Sequence, residues 1–328
     1  DGCTEGTQVF LAEDCRASPA RAWLGDGGGG LSWIAELNTQ DLQVGIYYKL
    51  CVDLDGDNET LPAGPAGFEV YVSPVVGYTL PNGVFRAEVN RLRLTCADGC
   101  RRAAEAFLAS DCQSSAMLSG YASATSRSVF RFDGFAWTVE IDAQQLRPGG
   151  RYRLCIDLDG PTTTLPVGDT GLDVYLSTAQ QDLPLTLVPL PQQTVGPVQC
   201  QECSEATMAY LGVECPGHVT GLLEAYSPGS TEPQEWNGSI ALPGLHPWQW
   251  YKASGDGAFS SNPDGAGWIV TLDAENLTVG YHYRLCLDVD GQGSALGFGD
   301  TGVVVFTAPV VATELSVASE PGTVLSLS

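Results

Sequence analysis

Residues 47–56 read Tyr47-Tyr-Lys-Leu-Cys51-Val-Asp53-Leu-Asp55-Gly56. Near-copies stand at Arg151-Tyr-Arg-Leu-Cys155-Ile-Asp157-Leu-Asp159-Gly160 and at His282-Tyr-Arg-Leu-Cys286-Leu-Asp288-Val-Asp290-Gly291. A Trp lies 18 positions before each of these cysteines (Trp33, Trp137, Trp268) and an aromatic residue 20 positions after (Tyr71, Tyr175, Phe306). Constant spacing over about forty residues marks one supersecondary unit copied three times. In Tyr152-Arg-Leu154-Cys-Ile156-Asp-Leu158 the apolar residues alternate with polar ones, the period of a half-buried strand. Tyr152, Leu154, Ile156 and Leu158 are therefore expected to face a core, with Cys155, Asp157 and Asp159 on the opposite face. Asp-Gly supplies a turn, and Leu172-Asp-Val174-Tyr-Leu176 alternates again as the returning strand of a hairpin. Trp137-Thr-Val139-Glu-Ile141 makes a further strand with its Trp inward.

Between each Trp and Cys lies a Leu-x-x-Gly-x-x-Tyr frame: Leu42 to Tyr48, Leu146 to Tyr152 and Leu277 to Tyr283. This frame resembles the corner between strands E and F of fibronectin type III and related immunoglobulin-like sandwiches, in which the Tyr closes a tyrosine corner. The resemblance implies an all-β chain of three tandem immunoglobulin-like β-sandwich domains stapled by disulfides. It specifies architecture and leaves activity open. The expected boundaries are 1–76, a sandwich lacking its first strand; 77–179; and 180–306, which carries a Trp-rich insertion at 216–267. Residues 307–328 form a strand belonging to a following domain or a neighbouring subunit.

With 328 residues the chain can give each unit its own core. It carries 39 acidic against 15 basic residues, and a net charge of -24 disfavours nucleic acid or an anionic membrane surface as partner. No run approaches the length of a membrane-spanning helix. The 11 cysteines recur in order, with Cys96, Cys100, Cys112 and Cys155 in the second unit and Cys200, Cys203, Cys215 and Cys286 in the third. Two disulfides per unit and an oxidising compartment follow. Zinc at Cys200-x-x-Cys203 is disfavoured because Cys96 and Cys100 are spaced differently and no His recurs nearby. Four cysteines allow three connectivities. The preferred one joins Cys100 to Cys112 and Cys96 to Cys155, repeated as Cys203 to Cys215 and Cys200 to Cys286. Cys3 and Cys15 match Cys100 and Cys112 in spacing, which leaves Cys51 unpaired or bonded to another molecule.

Three sequons, at Asn58, Asn237 and Asn276, agree with a secretory route and N-linked glycans. The aspartate pairs Asp53/Asp55, Asp157/Asp159 and Asp288/Asp290 admit two readings: a hard cation such as calcium, or turn-forming side chains that bind nearby amides. Gly168-Asp-Thr-Gly171 and Gly299-Asp-Thr-Gly302 could bring a further carboxylate to the pair, which Gly64-Pro-Ala-Gly67 could not. Trp236, Trp248 and Trp250 in the insertion form a candidate contact surface for a neighbouring domain or a glycan. His218, His246 and His282 show no metal-ligand spacing and no nucleophile elbow or dinucleotide fingerprint is present, so no enzyme and no obligatory cofactor is expected.

The combined motifs also resemble repeats of large surface glycoproteins of algae and protists, including components of flagellar hairs (mastigonemes). That resemblance implies an extracellular, disulfide-braced, glycan-coated fibre subunit. Its partners would be copies of itself in a linear or helical polymer, joined head-to-tail by strand addition or continuing as a longer array. The competing expectation is a cell-surface adhesin or carbohydrate-binding module, calcium-dependent if the aspartate pairs hold the ion.

Overall fold

The structure is a computed structural model that describes residues 3–16, 22–26, 33–56, 61–79, 84–86, 89–113, 121–160, 164–181, 185–213, 215, 253–291, 293 and 295–309. All regular structure among these residues is β, in three successive sets of strands. No helix is long and apolar enough to cross a membrane among the described residues.

The first set comprises β1 (Gln8–Ala12), β2 (Ala22–Trp23), β3 (Gly25–Asp26), β4 (Trp33–Ile34), β5 (Tyr47–Asp53) and β6 (Gly64–Tyr71). The second comprises β7 (Val75–Thr79), β8 (Val84–Phe85), β9 (Val89–Cys96), β10 (Glu105–Ala109), β11 (Ser128–Val129), β12 (Arg131–Phe132), β13 (Trp137–Asp142), β14 (Arg151–Asp157) and β15 (Gly168–Ser177). The third comprises β16 (Ala179–Gln180), β17 (Leu185–Leu187), β18 (Gln193–Cys200), β19 (Met208–Gly212), β20 (Gly257–Ser261), β21 (Trp268–Leu272), β22 (His282–Asp288) and β23 (Gly299–Thr307).

The second unit has both layers of a sandwich. One sheet runs β12-β13-β9-β7 and the other β11-β10-β14-β15-β8, with β8 parallel to β15. This is the strand order of an immunoglobulin-type sandwich, the first two long strands sharing a sheet with the fourth and the third sharing one with the last two. Leu92, Leu94, Val139 and Ile141 from the first sheet meet Leu108, Leu154, Ile156 and Val174 from the second, all buried. In the third unit β20 pairs with both β19 and β21, so the two layers join into one sheet of eight strands. The run from Val84 to Cys96 holds two strands, β8 and β9, and β9 lies between β13 and β7. Strands β7 and β16 pair inside the second and third units, at positions slightly ahead of the boundaries read from sequence.

Alternation places the cysteines as expected but joins them differently. Cys155 points away from the inter-sheet core into a small outer cluster with Phe107, Ala109 and Cys112. The bridges Cys15–Cys51, Cys112–Cys155 and Cys215–Cys286 each join the segment after one strand to the central strand beside it, and Cys96–Cys100 and Cys200–Cys203 each join a strand end to the loop that follows it. The expected pairings of Cys100 with Cys112 and Cys96 with Cys155, their copies in the third unit, and Cys3 with Cys15 are therefore corrected. Cys51 is bonded within the chain, and Cys3 is free and exposed. The reason is the register: Phe107 lies opposite Cys155, so the loop leaving β10 brings Cys112 over the outer face of β14. Cys96 ends β9 on the other sheet, where a tight loop returns Cys100 to it with a Cα separation of 6.2 Å.

The first unit contains the counterpart of only one full layer, β2-β1-β5-β6, beside the β3-β4 ribbon. No counterpart of β9 is present among the described residues. Phe68 and Val70 are consequently 69% and 40% exposed, whereas Leu172 and Val174 at the same positions of the second unit are buried.

Candidate functional site

The contact between successive units is built by the repeat's own motifs. Each Leu-x-x-Gly-x-x-Tyr frame closes as the resemblance implied: the Tyr48, Tyr152 and Tyr283 hydroxyls accept hydrogen bonds from the backbone N–H of Gln43, Arg147 and Thr278 at 2.9, 2.7 and 2.8 Å. That corner fixes the glycine in the middle of the frame at the end of the unit. Gly45 and Gly149 both adopt positive φ, 94° and 71°, which glycine takes without steric cost.

Both glycines are also pressed against the next unit. A Cβ on Gly45 would stand 2.8 Å from Leu158 Cδ1 and 3.1 Å from Leu165 Cδ1. A Cβ on Gly149 would stand 2.7 Å from Val289 Cγ2 and 3.1 Å from Leu296 Cδ1. Beside them the aromatic residue at or near the end of each returning strand covers the glycine that begins the returning strand of the next unit. Tyr71 lies over Gly168 and Tyr175 over Gly299, and a side chain on either glycine would collide with the ring. The residue that opens the central strand then donates to the carbonyl just before that glycine: Tyr47 Oη to Val167 O at 3.2 Å, and the Arg151 guanidinium to Phe298 O. The same three contacts are thus made twice, at equivalent positions.

Differences between the joints are peripheral. Tyr47 and Tyr71 stack obliquely with ring centroids 5.0 Å apart. At the second joint Tyr175 Oη donates to Leu287 O at 3.1 Å, Arg147 reaches Asp290 at 3.6 Å, and Arg86 pairs with Glu202. Burial, joined by the neighbouring Tyr47, pushes the Tyr71 hydroxyl well above its ordinary pKa, and burial next to Asp288 does the same for Tyr175. Both phenols remain neutral at any physiological pH.

The aspartate pairs belong to this joint. The first member is buried beneath it. Asp157 is held by Arg127 at 2.6 Å, and its pKa is raised by burial and then by its hydrogen bond with Asp159. Asp288 is pushed up to about 6 by burial and then by Asp290. The second member clasps the loop that presents the joint's leucine. Asp159 Oδ2 accepts from the N–H of Thr164 at 2.7 Å and of Leu165 at 3.0 Å, and Asp55 Oδ2 accepts from Leu61 N–H at 2.8 Å. The Thr164 hydroxyl also donates to Asp159 Oδ2, and this side-chain bond is the main cause of the lowered Asp159 pKa. Asp53 and Asp288 in turn accept from Gly56 and Gly291 N–H at 3.0 and 3.2 Å. These carboxylates act as turn clasps, the second of the two readings offered by the sequence. No group of three or more His, Cys, Asp or Glu side chains is placed to hold a metal among the described residues.

Gly-Asp-Thr-Gly does not bring a further carboxylate to the pair. It forms a bulge in the hairpin, with the register shifting between Arg153 and Cys155. Asp169 caps its own turn on Gly171 N–H at 2.8 Å and faces Arg153 at 3.8 Å, while Thr170 Oγ1 donates to Leu154 O at 2.8 Å. Asp300 likewise pairs with Arg284 at 2.6 Å. Asn276 is exposed in the turn between β21 and β22. Asn58, Asn237, Trp236, Trp248 and Trp250 lie outside the described residues.

The joints were not legible from the motifs alone, because each links residues of different repeats. The available signal was an aromatic closing one strand in every copy and a glycine opening the same strand in every copy.

No family model matches this chain, and no curated protein does. Among solved structures it is similar to the Bacteroides ovatus mixed-linkage glucan utilization locus protein SGBP-B, determined in complex with a mixed-linkage heptasaccharide, at 10% identity and a TM-score of 0.27. The match covers 93% of this chain, which spans 60% of that one.

Proposed function

We propose that this chain is a structural, non-catalytic segment of an extracellular glycoprotein filament of the flagellar-hair kind that its motifs resemble. The observation that carries this reading is the joint made twice with equivalent residues. Its two halves lie at opposite ends of the β14-β15 hairpin: Leu158 and Gly168 at one end, Gly149 and Tyr175 at the other. Units joined this way continue in series, and the seven residue-to-residue steps of strand from Gly168 to Tyr175 correspond to a rise of roughly 24 Å per unit. The five disulfides suit an oxidising exterior.

Strand addition is the finer form of the reading. The uncovered Phe68 and Val70 of the first unit offer a face for a strand from a neighbour, and Pro309-Val310-Val311 repeats Pro74-Val75-Val76 at the start of β7. Small-angle scattering of the purified chain tests the structural role. The expected result is one elongated particle whose units keep a fixed spacing of roughly 24 Å. A freely jointed ensemble, or retention on a glycan column with a loose chain, would instead favour the adhesin reading.

A further inference from the structure

The two joints inside the chain use both halves of one interface, and one more copy of each half has nothing packed against it among the described residues. The receiving half in the first unit consists of Leu54, Leu61 and Gly64, the positions of Leu158, Leu165 and Gly168. Leu54 and Leu61 are 46% and 48% exposed, whereas Leu158 is 1% exposed. Among the described residues nothing stands within 4 Å of a Cβ on Gly64, although the same construction collides with a tyrosine at Gly168 and at Gly299.

The inserting half in the third unit consists of Val279, Gly280, His282 and Phe306, the positions of Val44, Gly45, Tyr47 and Tyr71. Gly280 has the φ of its counterparts, 84°, and nothing stands within 4 Å of its Cβ among the described residues. Val279 is 44% exposed, whereas Val44 packs against the core of the second unit. His282 and Phe306 already form the ring pair that Tyr47 and Tyr71 form, with centroids 4.9 Å apart against 5.0 Å. The donor position also holds: Tyr47 and Arg151 each give a hydrogen to a carbonyl of the next unit, and an imidazole N–H can do the same.

We propose that the occupant of both faces is a second copy of this chain. The third unit of one molecule docks on the first unit of the next, with Phe306 over Gly64, Leu54 and Leu61 against Gly280, and His282 donating to the carbonyl of Ala63. The contact is heterologous, so it propagates into an open head-to-tail series. This rests on the structural reading above but does not follow from it, because a chain with rigid internal joints can remain a monomer.

Sedimentation velocity on the intact chain tests the proposal. The expected result is a weight-average mass that rises above 34.6 kDa with concentration. Gly64→Leu fills the ring's seat in open space, and Phe306→Ala removes the ring. Each is expected to weaken self-association by about tenfold or more, the effect of losing a central interface residue. Mixed together, the two variants still offer one intact inserting half and one intact receiving half, and should form dimers and nothing larger. A wild-type chain that stays monomeric into the high micromolar range while its internal spacing is fixed overturns the proposal and leaves the structural role standing. Variants that associate as well as wild type, or a mixture that forms long oligomers, overturn it also.

Discussion

Three glycines occupy one position of the repeat, and adding a methyl group to each should have unequal effects. Gly168→Ala places a Cβ inside the ring of Tyr71, closer than any real contact, whereas Gly64→Ala meets nothing among the described residues. Expelling the ring would return about 150 Å² to water, a loss of roughly 4 kcal/mol at ~25 cal/mol per Å². Shifting the strand to admit the methyl costs about 1–3 kcal/mol and is the cheaper response. It also displaces Val167, which accepts from Tyr47, for about 1 kcal/mol more. The expected loss for Gly168→Ala is therefore about 2–4 kcal/mol, concentrated in the joint, with Gly299→Ala similar. Gly64→Ala should stay within about 0.5 kcal/mol of wild type at concentrations where the chain is monomeric. Calorimetry gives the total, and hydrogen exchange at 45–48 and 165–169 locates it. In a Tyr71→Ala background, where the ring is gone, Gly168→Ala should add little. Equal costs at Gly64 and Gly168, or an undiminished cost without the Tyr71 ring, would refute the reasoning.

Thiol titration of the unreduced, denatured protein should find one reactive cysteine, Cys3, against 11 after reduction. Replacing Cys112 and Cys155 by Ala removes a bridge with a sequence separation of 43 and should cost about 4 kcal/mol in urea unfolding, against about 2 kcal/mol for the Cys96–Cys100 bridge with a separation of 4. The pH dependence has two parts. Asp288 binds its proton more tightly folded than unfolded, about 6 against 3.8, so the native state gains protons and stability declines as pH rises from about 4 through 6. Asp288→Asn should flatten that decline in thermal melts. Asp159 is depressed, so its contribution is present above its ordinary carboxylate pKa and is lost on acidification below it; maximum stability is expected near pH 4–5. Protein expressed through a secretory pathway should carry a glycan at Asn276, seen as a mass shift that Asn276→Gln abolishes.

Strand identity and facing were readable because period-2 alternation directly reports the face each residue takes. Leu154 and Ile156 are buried between the sheets, and Cys155 lies outside them. Disulfide connectivity was less accessible. The gap of three from Tyr152 to Cys155 shows that the sulfur points outward, but which thiol arrives there depends on how the loop after β10 crosses the sheet. Loop-closing pairs only 3 or 4 residues apart also compete on equal terms once a tight turn is available. The aspartate pairs were open between ion and turn because both uses need the same carboxylates. In the structure the loop amides of Leu61 and Leu165 fall on Asp55 and Asp159, the arrangement the turn reading requires.

Strand β15 begins under the ring of Tyr71 and reaches Tyr175, which covers Gly299. A single stretch of backbone therefore connects one joint to the next. Tension along the series would travel lengthwise through that strand as covalent bonds, while its neighbours act as a splint that keeps it straight. The Cys112–Cys155 bridge fastens the splint sideways, across the direction of pull, so stretching leaves it unloaded. Such a unit would give way first at the aromatic seats between modules and only later within them.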